Sequence, residues 1–188
     1  MDKIKRIFVT GIYGTGKSTL CRNLAAQYQV EHVIASQLIY SYLQKQPPID
    51  KRISDIERNQ YILLEALKEY SSSSLFQILE GHSCLLNQVN EVEYVPEKVF
   101  DKLCLSGILL LTSNIPMVAK ILQDRDQVKY NVRTLEKLQY AETEYVRYLS
   151  KKAEIPLLEI DCETIEDVLN LNNIEKISCV FQLKPRTE

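Results

Sequence analysis

Residues 11–18 read Gly-Ile-Tyr-Gly-Thr-Gly-Lys-Ser, and these types at this spacing suit the capture of a polyanion. Gly11, Gly14 and Gly16 let the backbone wrap an anion where a Cβ would clash, so that successive N–H groups of the segment, Tyr13 and Thr15 included, face inward. A helix beginning after Gly16 adds the partial positive charge of its N-terminus. Lys17 reaches the outer phosphates of such a ligand, Ser18 offers a hydroxyl to a divalent cation riding on them, and Thr19 lies beside it. Usage of about 7% would give a chain of this length about thirteen glycines. It has five, and three fall within these six residues.

The elements that must hold this loop are legible on both sides. Ile4 to Thr10 is a β-branched and aromatic run, the profile of a buried strand. Leu20, Leu24, Ala25 and Tyr28 then fall on one face of a helix from Lys17 to Gln29. His32 to Ala35 reads as a second strand, with Ser36 as N-cap of a helix through Tyr42 that Pro47-Pro48 ends. A long helix is predicted over Arg52 to Tyr70, a strand over Leu75 to Leu79, no assignment over Leu85 to Val95, and a helix from Pro96 to Leu103. Gly107 to Leu111, the most apolar strand, is expected to be central. Pro116 opens a helix to Gln123, Thr134 caps one running to Lys152, and Leu157 to Ile160 is a fifth strand. Thr164 to Leu171 is read as a last helix and Ile177 to Leu183 as an edge strand. This alternation predicts an α/β fold of three layers, a five-stranded, mainly parallel sheet between helices in one domain over 1–188, and the G-x-x-x-x-G-K-S loop after its first strand resembles that of the P-loop NTPase fold.

Composition narrows the class. The 188 residues are 45% hydrophobic and 26% charged with net charge −2, which excludes a disordered chain and gives no electrostatic footprint for nucleic acid or an anionic membrane. The longest apolar run, Ile108 to Leu111, is far short of a membrane span, and a cytoplasmic location is expected. The five scattered cysteines, Cys21, Cys84, Cys104, Cys162 and Cys179, lack any metal-ligand spacing and read as reduced thiols.

Nucleotide binding leaves several functions open. A GTPase of the Ras type needs an N-K-x-D motif, and Thr112-Ser113-Asn114 is not one. An AAA-type mechanical ATPase is expected to end an apolar strand in Asp-Glu, whereas here Glu80-Gly81-His82 follows. A small phosphotransferase fits better. Three segments resemble the nucleoside-monophosphate kinases, most of all the short-lid archaeal-type adenylate kinases. IFVTGIYGTGKSTL carries the kinase-style loop. Phe76 to His82, followed by Asn90 to Pro96, resembles that family's acidic-x-His turn and the stretch after it. Asp124 to Arg133 and the helix to Leu149 resemble its arginine-bearing lid.

The resemblance implies Mg²⁺ with ATP as donor, bound at Gly11 to Thr19 with Ser18 and Glu80 at the metal. It also implies a lid over 124–133, in which Arg125, Lys129 and Arg133 would neutralise charge on the transferring group. Their spacing of four would place them on one helical face. Lys17, Arg125 and Arg133 are the expected catalytic cations. The acceptor is expected among helices of about 36–72, at Ser36, Arg52, Gln60, Glu80 and His82. Here the family pattern is incomplete, since Ala35 to Ser41 carries no arginine for an acceptor phosphate. A nucleoside monophosphate, a nucleoside, another small alcohol and a polynucleotide end all remain as acceptors, and a nucleotide-dependent switch with little turnover is the alternative from another class.

Overall fold

The computed structural model describes residues 4–44, 56–70 and 76–184. Five strands, β1 (Lys5–Thr10), β2 (Glu31–Ile34), β3 (Phe76–Glu80), β6 (Leu105–Ser113) and β7 (Leu157–Cys162), form one sheet in the order β2-β3-β1-β6-β7. All of its pairings are parallel. A two-stranded antiparallel sheet, β4 (Cys84–Leu86) with β5 (Val92–Tyr94), stands apart from it. The helices are α1 (Lys17–Tyr28), α2 (Ala35–Tyr42), α3 (Ile56–Glu69), α4 (Glu97–Phe100), α5 (Ile115–Asp126), α6 (Val132–Ala153), α7 (Ile165–Val168) and α8 (Leu171–Phe181).

The central strands are apolar on both faces, because parallel strands covered twice have no wet side. Phe8, Leu79, Ile108 and Leu110 enter one core with α3, α5 and α6. Ile7, Val9, Ile78, Leu109 and Leu111 enter a second with Leu20 and Leu24 of α1 and Ile174, Ile177 and Phe181 of α8. Side chains alternate across the pleat, so one contiguous run in sequence serves two cores.

Register decides what stands at the ligand edge. Val9 of β1 and Ile34 of β2 both lie opposite Glu80, so the carboxyl ends of three strands finish side by side. Open α/β sheets bind ligands outside the carboxyl ends of their strands.

Several expectations are corrected. Residues 177–183 are not an edge strand: Ile177 to Phe181 belong to α8, whose buried Ile174, Ile177 and Phe181 recur at helical spacing. The strand at Gly107 is β6, which does lie inside the sheet beside β1 with residues 107–111 buried, as expected. Asn131, not Thr134, caps α6, its Oδ1 accepting from the Thr134 N–H at 3.2 Å. Ser36 is no cap either, since α2 starts at Ala35 with Ile34 in the N-cap position. The segment left unassigned folds as the β4–β5 hairpin, with Asn87 Oδ1 accepting from the N–H groups of Val89 and Glu91, each at 3.0 Å. The helix expected over 164–171 divides into α7 and α8. The start expected for α3, Arg52 included, lies outside the described residues.

Candidate active site

The loop between β1 and α1 has the conformation that its glycines allow. Gly11, Gly14 and Gly16 take φ of 141°, 81° and 87°, values that strain a residue with a Cβ. α1 begins without a capping side chain, so its first N–H groups are available to an anion, as a helix N-terminus requires. Lys17 is buried and donates from Nζ to the Gly11 carbonyl at 2.7 Å and the Ile12 carbonyl at 2.8 Å. Burial pulls its pKa down, against the opposing pull of Glu142 and Glu80.

Glu80, at the end of β3, is the hub of a second cluster. Ser18 Oγ donates to Glu80 Oε1 at 2.5 Å, and His32 Nε2 lies 2.9 Å from Oε2. Burial pushes this carboxyl up, but His32, Ser18 and Lys17 outweigh it and hold it below its ordinary value. The Ser18 and Glu80 oxygens, adjacent at the phosphate loop, form a donor set that fits a hard divalent cation such as Mg²⁺. Cys21 Sγ joins His32 and Glu80 in a softer set whose ligand atoms lie within 4.8 Å of one another, but burial raises the Cys21 thiol pKa well above its ordinary value. All five cysteines are free.

Glu142 escapes a reading of motifs. It sits on α6 in the apolar stripe of Leu135, Leu138, Val146 and Leu149, and is fully buried. Its Oε1 accepts from the Thr10 hydroxyl, from the Gly11 N–H at 3.2 Å and from the Ser83 N–H at 3.0 Å. One carboxylate thus fastens the end of β1, the phosphate loop and the turn after β3, which lie 132, 131 and 59 residues away along the chain, to α6. The available signal was a carboxylate on a helical face otherwise apolar. His32, to which the sequence reading assigned no role, offers no such signal, because its contact with Glu80 is purely tertiary.

Lys17, Ser18 and Glu80 line a cleft of about 500 Å³. Of the predicted residues, Tyr13, Gly14, Gly16, Lys17, Ser18, Thr19, Ser36, Gln60, Glu80, His82 and Arg125 line it, with Phe8, Ile39, Leu63, Leu85 and Phe100 as apolar walls. Tyr13 packs on His82 with ring centroids 4.6 Å apart. Gly11 and Thr15 are buried within the loop, the Thr15 hydroxyl donating to the Ile12 carbonyl at 3.0 Å. Gln60 is 8% exposed on α3.

The three lid cations do not share a helical face. α5 ends at Asp126 and α6 begins at Val132, with Gln127 in the left-handed region between them. Arg125 reaches the cleft and grips Asp126 through two bonds, Nε–Oδ1 at 2.7 Å and Nη2–Oδ2 at 2.8 Å. Lys129 and Arg133 are exposed and are not among the residues lining the cleft. No helix of the described residues is long and apolar enough to cross a membrane.

The fold recurs in solved structures. A shikimate kinase from Bacteroides thetaiotaomicron matches with TM-score 0.58 at 15% identity, over 95% of this chain and 99% of that one. A shikimate kinase from Acinetobacter baumannii in complex with shikimate gives 0.56 at 12%, over 98% and 97%. A gluconokinase from Sinorhizobium meliloti gives 0.53 at 13%, over 98% and 100%. At these identities the likeness establishes an α/β P-loop kinase fold and does not carry function with it. No curated protein is detectably similar in sequence. A family model described as AAA domain matches residues 10–139, although β3 ends in Glu80 followed by Gly81 and His82 rather than in an acidic pair. That match runs from the last residue of β1 through the phosphate loop and the cleft walls into α6, and by it the chain belongs to the AAA domain family.

Proposed function

We propose that the protein is an ATP-dependent phosphotransferase acting on a small hydroxyl-bearing acceptor. The observation that carries this reading is that the phosphate loop opens into the same cleft as a separate, largely apolar wall formed by α2, α3 and the segment from His82 to Phe100. Donor and acceptor then meet in one water-poor space, as in-line transfer requires. Lys17 and Arg125 stabilise charge on the transferring group, with Arg133 a further cation for a closed lid. Ser18 and Glu80 would hold Mg²⁺, which neutralises phosphate charge when bound. His32 keeps the Glu80 carboxylate ionised and oriented.

Ser36, Gln60 and His82 face the acceptor, and Arg52 is kept as a candidate cation for an acceptor phosphate. The finer reading, a nucleoside-monophosphate kinase of adenylate kinase type, rests on the motif resemblance alone. The structural neighbours are named for gluconate and shikimate instead. A cytoplasmic location belongs to the same proposal.

The test is ADP formation from Mg·ATP in the presence of nucleosides, nucleoside monophosphates, gluconate, shikimate and 5′-hydroxyl oligonucleotides in turn. Acceptor-dependent ADP is expected, and the acceptor that works names the class. ADP formation that no acceptor accelerates would overturn the reading in favour of a nucleotide-dependent switch.

A further inference from the structure

Two buried polar side-chain atoms among the described residues have no hydrogen-bond partner, His82 Nδ1 and Glu142 Oε2. They face each other at 3.9 Å. That is too long for a hydrogen bond, yet orphaned atoms of a donor and an acceptor that meet at the wall of a cleft call for an explanation. Catalytic hydrogen bonds are commonly long without ligand and tighten around the reacting groups.

We propose that Glu142 is a positioning residue that holds His82 in the tautomer protonated at Nδ1, leaving the Nε2 lone pair in the cleft to take the proton of the acceptor hydroxyl. The proposal rests on the phosphotransferase reading.

The geometry constrains the carboxylate on one side only. All three of its donors, the Thr10 hydroxyl and the Gly11 and Ser83 N–H groups, meet Oε1. Rotation is therefore blocked and Oε2 is left turned to His82. A carboxylate accepts and does not donate, so the ring nitrogen opposite it must carry the hydrogen, and the other nitrogen must be bare. His82 lines the cleft with its side chain 19% exposed, and Tyr13 fixes its plane from the phosphate loop.

Burial pushes Glu142 up, but His82, Lys17 and Thr10 outweigh it and keep it ionised.

In the transfer step the acceptor O–H bond breaks and its proton passes to His82 Nε2. The oxygen forms a bond to the γ-phosphorus. The bond from that phosphorus to the β,γ-bridging oxygen breaks, and its electron pair leaves with ADP. The imidazolium so formed faces the Glu142 carboxylate, and its proton is released to solvent after the product leaves.

The chain has two histidines, so long-range ¹⁵N–¹H spectra of its imidazoles resolve their tautomers, with His82→Ala identifying the His82 signals. Wild-type His82 is expected to be protonated at Nδ1. In Glu142→Gln the amide oxygen can take over the three donors while its NH₂ faces Nδ1, so the proton is expected at Nε2.

With the acceptor that gives the fastest turnover in the panel above, Glu142→Gln is expected to lower kcat by about 100-fold or more. The KM for ATP should stay within about threefold, since ground-state binding is untouched. Added to His82→Ala, the same change should cost little more, because the two residues act as a unit. A wild-type proton on Nε2, a Glu142→Gln kcat within about threefold of wild type, or an equal fold-loss in both backgrounds would each overturn the proposal. Absence of turnover with every acceptor would overturn the phosphotransferase reading and the proton transfer together, whereas the spectra decide the tautomer without any substrate.

Discussion

Lys17→Met separates what the buried ammonium does for the reaction from what it does for the fold. The substitution keeps an unbranched stem of similar volume and removes the charge. In the wild type, Nζ makes two charge-assisted bonds to the Gly11 and Ile12 carbonyls, each worth about 1.5–3 kcal/mol. Against them stands the desolvation of a fully buried cation, still several kcal/mol after relaxation. The lowered Lys17 pKa gives the sign of the balance: a lysine whose folded pKa lies below its unfolded value of 10.5 favours the unfolded state while it is protonated, and folding gains stability as pH rises through that window.

Removing the charge relieves this penalty and forfeits the two bonds, so the two effects largely offset and stability changes by no more than about 2 kcal/mol. In a chain of this size that is a change in Tm of about 4–8 °C at most. Activity follows the opposite logic. A preorganised cation at the transferring group is worth about 10²–10³ in kcat or more. Thermal unfolding by circular dichroism and acceptor-dependent ADP formation measure the two effects on one preparation. A Tm fall beyond about 10 °C, or kcat within tenfold of wild type, would refute the reasoning that the ammonium is retained for chemistry at a cost in stability.

Three further outcomes follow from the geometry. Arg125→Ala breaks an ion pair on a side chain 48% exposed, so Tm should barely move, since such pairs contribute about 0–1 kcal/mol. Its kcat should fall by about 10³-fold if Arg125 meets the transferring phosphoryl group, and both are read in the assays above. Gly107→Ala places a Cβ against the Phe181 ring, 2.7 Å from Cδ1. Overpacking of this kind costs about 1–3 kcal/mol and should lower Tm without changing the KM for ATP, because Gly107 is not among the residues lining the cleft. The depressed carboxyls Glu80 and Glu142 contribute stability that is present above their unfolded value of 4.5 and lost as pH falls through their folded values. Urea unfolding between pH 6 and pH 3, a window of roughly the usual carboxylate range, should show stability decreasing with acid, with a shallower decrease in Glu80→Gln.

How much of this was legible in the sequence depended on how far apart the partners lie along the chain. The strand, loop and helix from Lys5 to Tyr28 are contiguous, and the glycine conformations that the loop needs are a property of those residues alone. Glu80 was legible because it ends a strand, and strand ends are marked by a change of period; His82 follows it in the turn. The lid cations illustrate the opposite case. A spacing of four implies one face only if the helix continues, and Gln127 in the left-handed region ends it. Likewise the run Ile177 to Leu183 has strand-like composition, but its buried positions repeat every three or four residues, and packing against β6 and β7 follows that period.

The sequence by itself determined that a phosphate-binding loop lies between a buried strand and an amphipathic helix, since each of those features is encoded within about twenty residues by backbone freedom and hydrophobic period. Only the tertiary structure decided which charges face that loop. His32 reaches Glu80 because β2 and β3 pair in register, and Glu142 reaches Thr10, Gly11 and Ser83 because α6 packs across the carboxyl ends of the strands. Hydrogen bonding and charge coupling act through space over a few ångströms, so separation along the chain carries no information about them until the sheet order and the helix crossing are known.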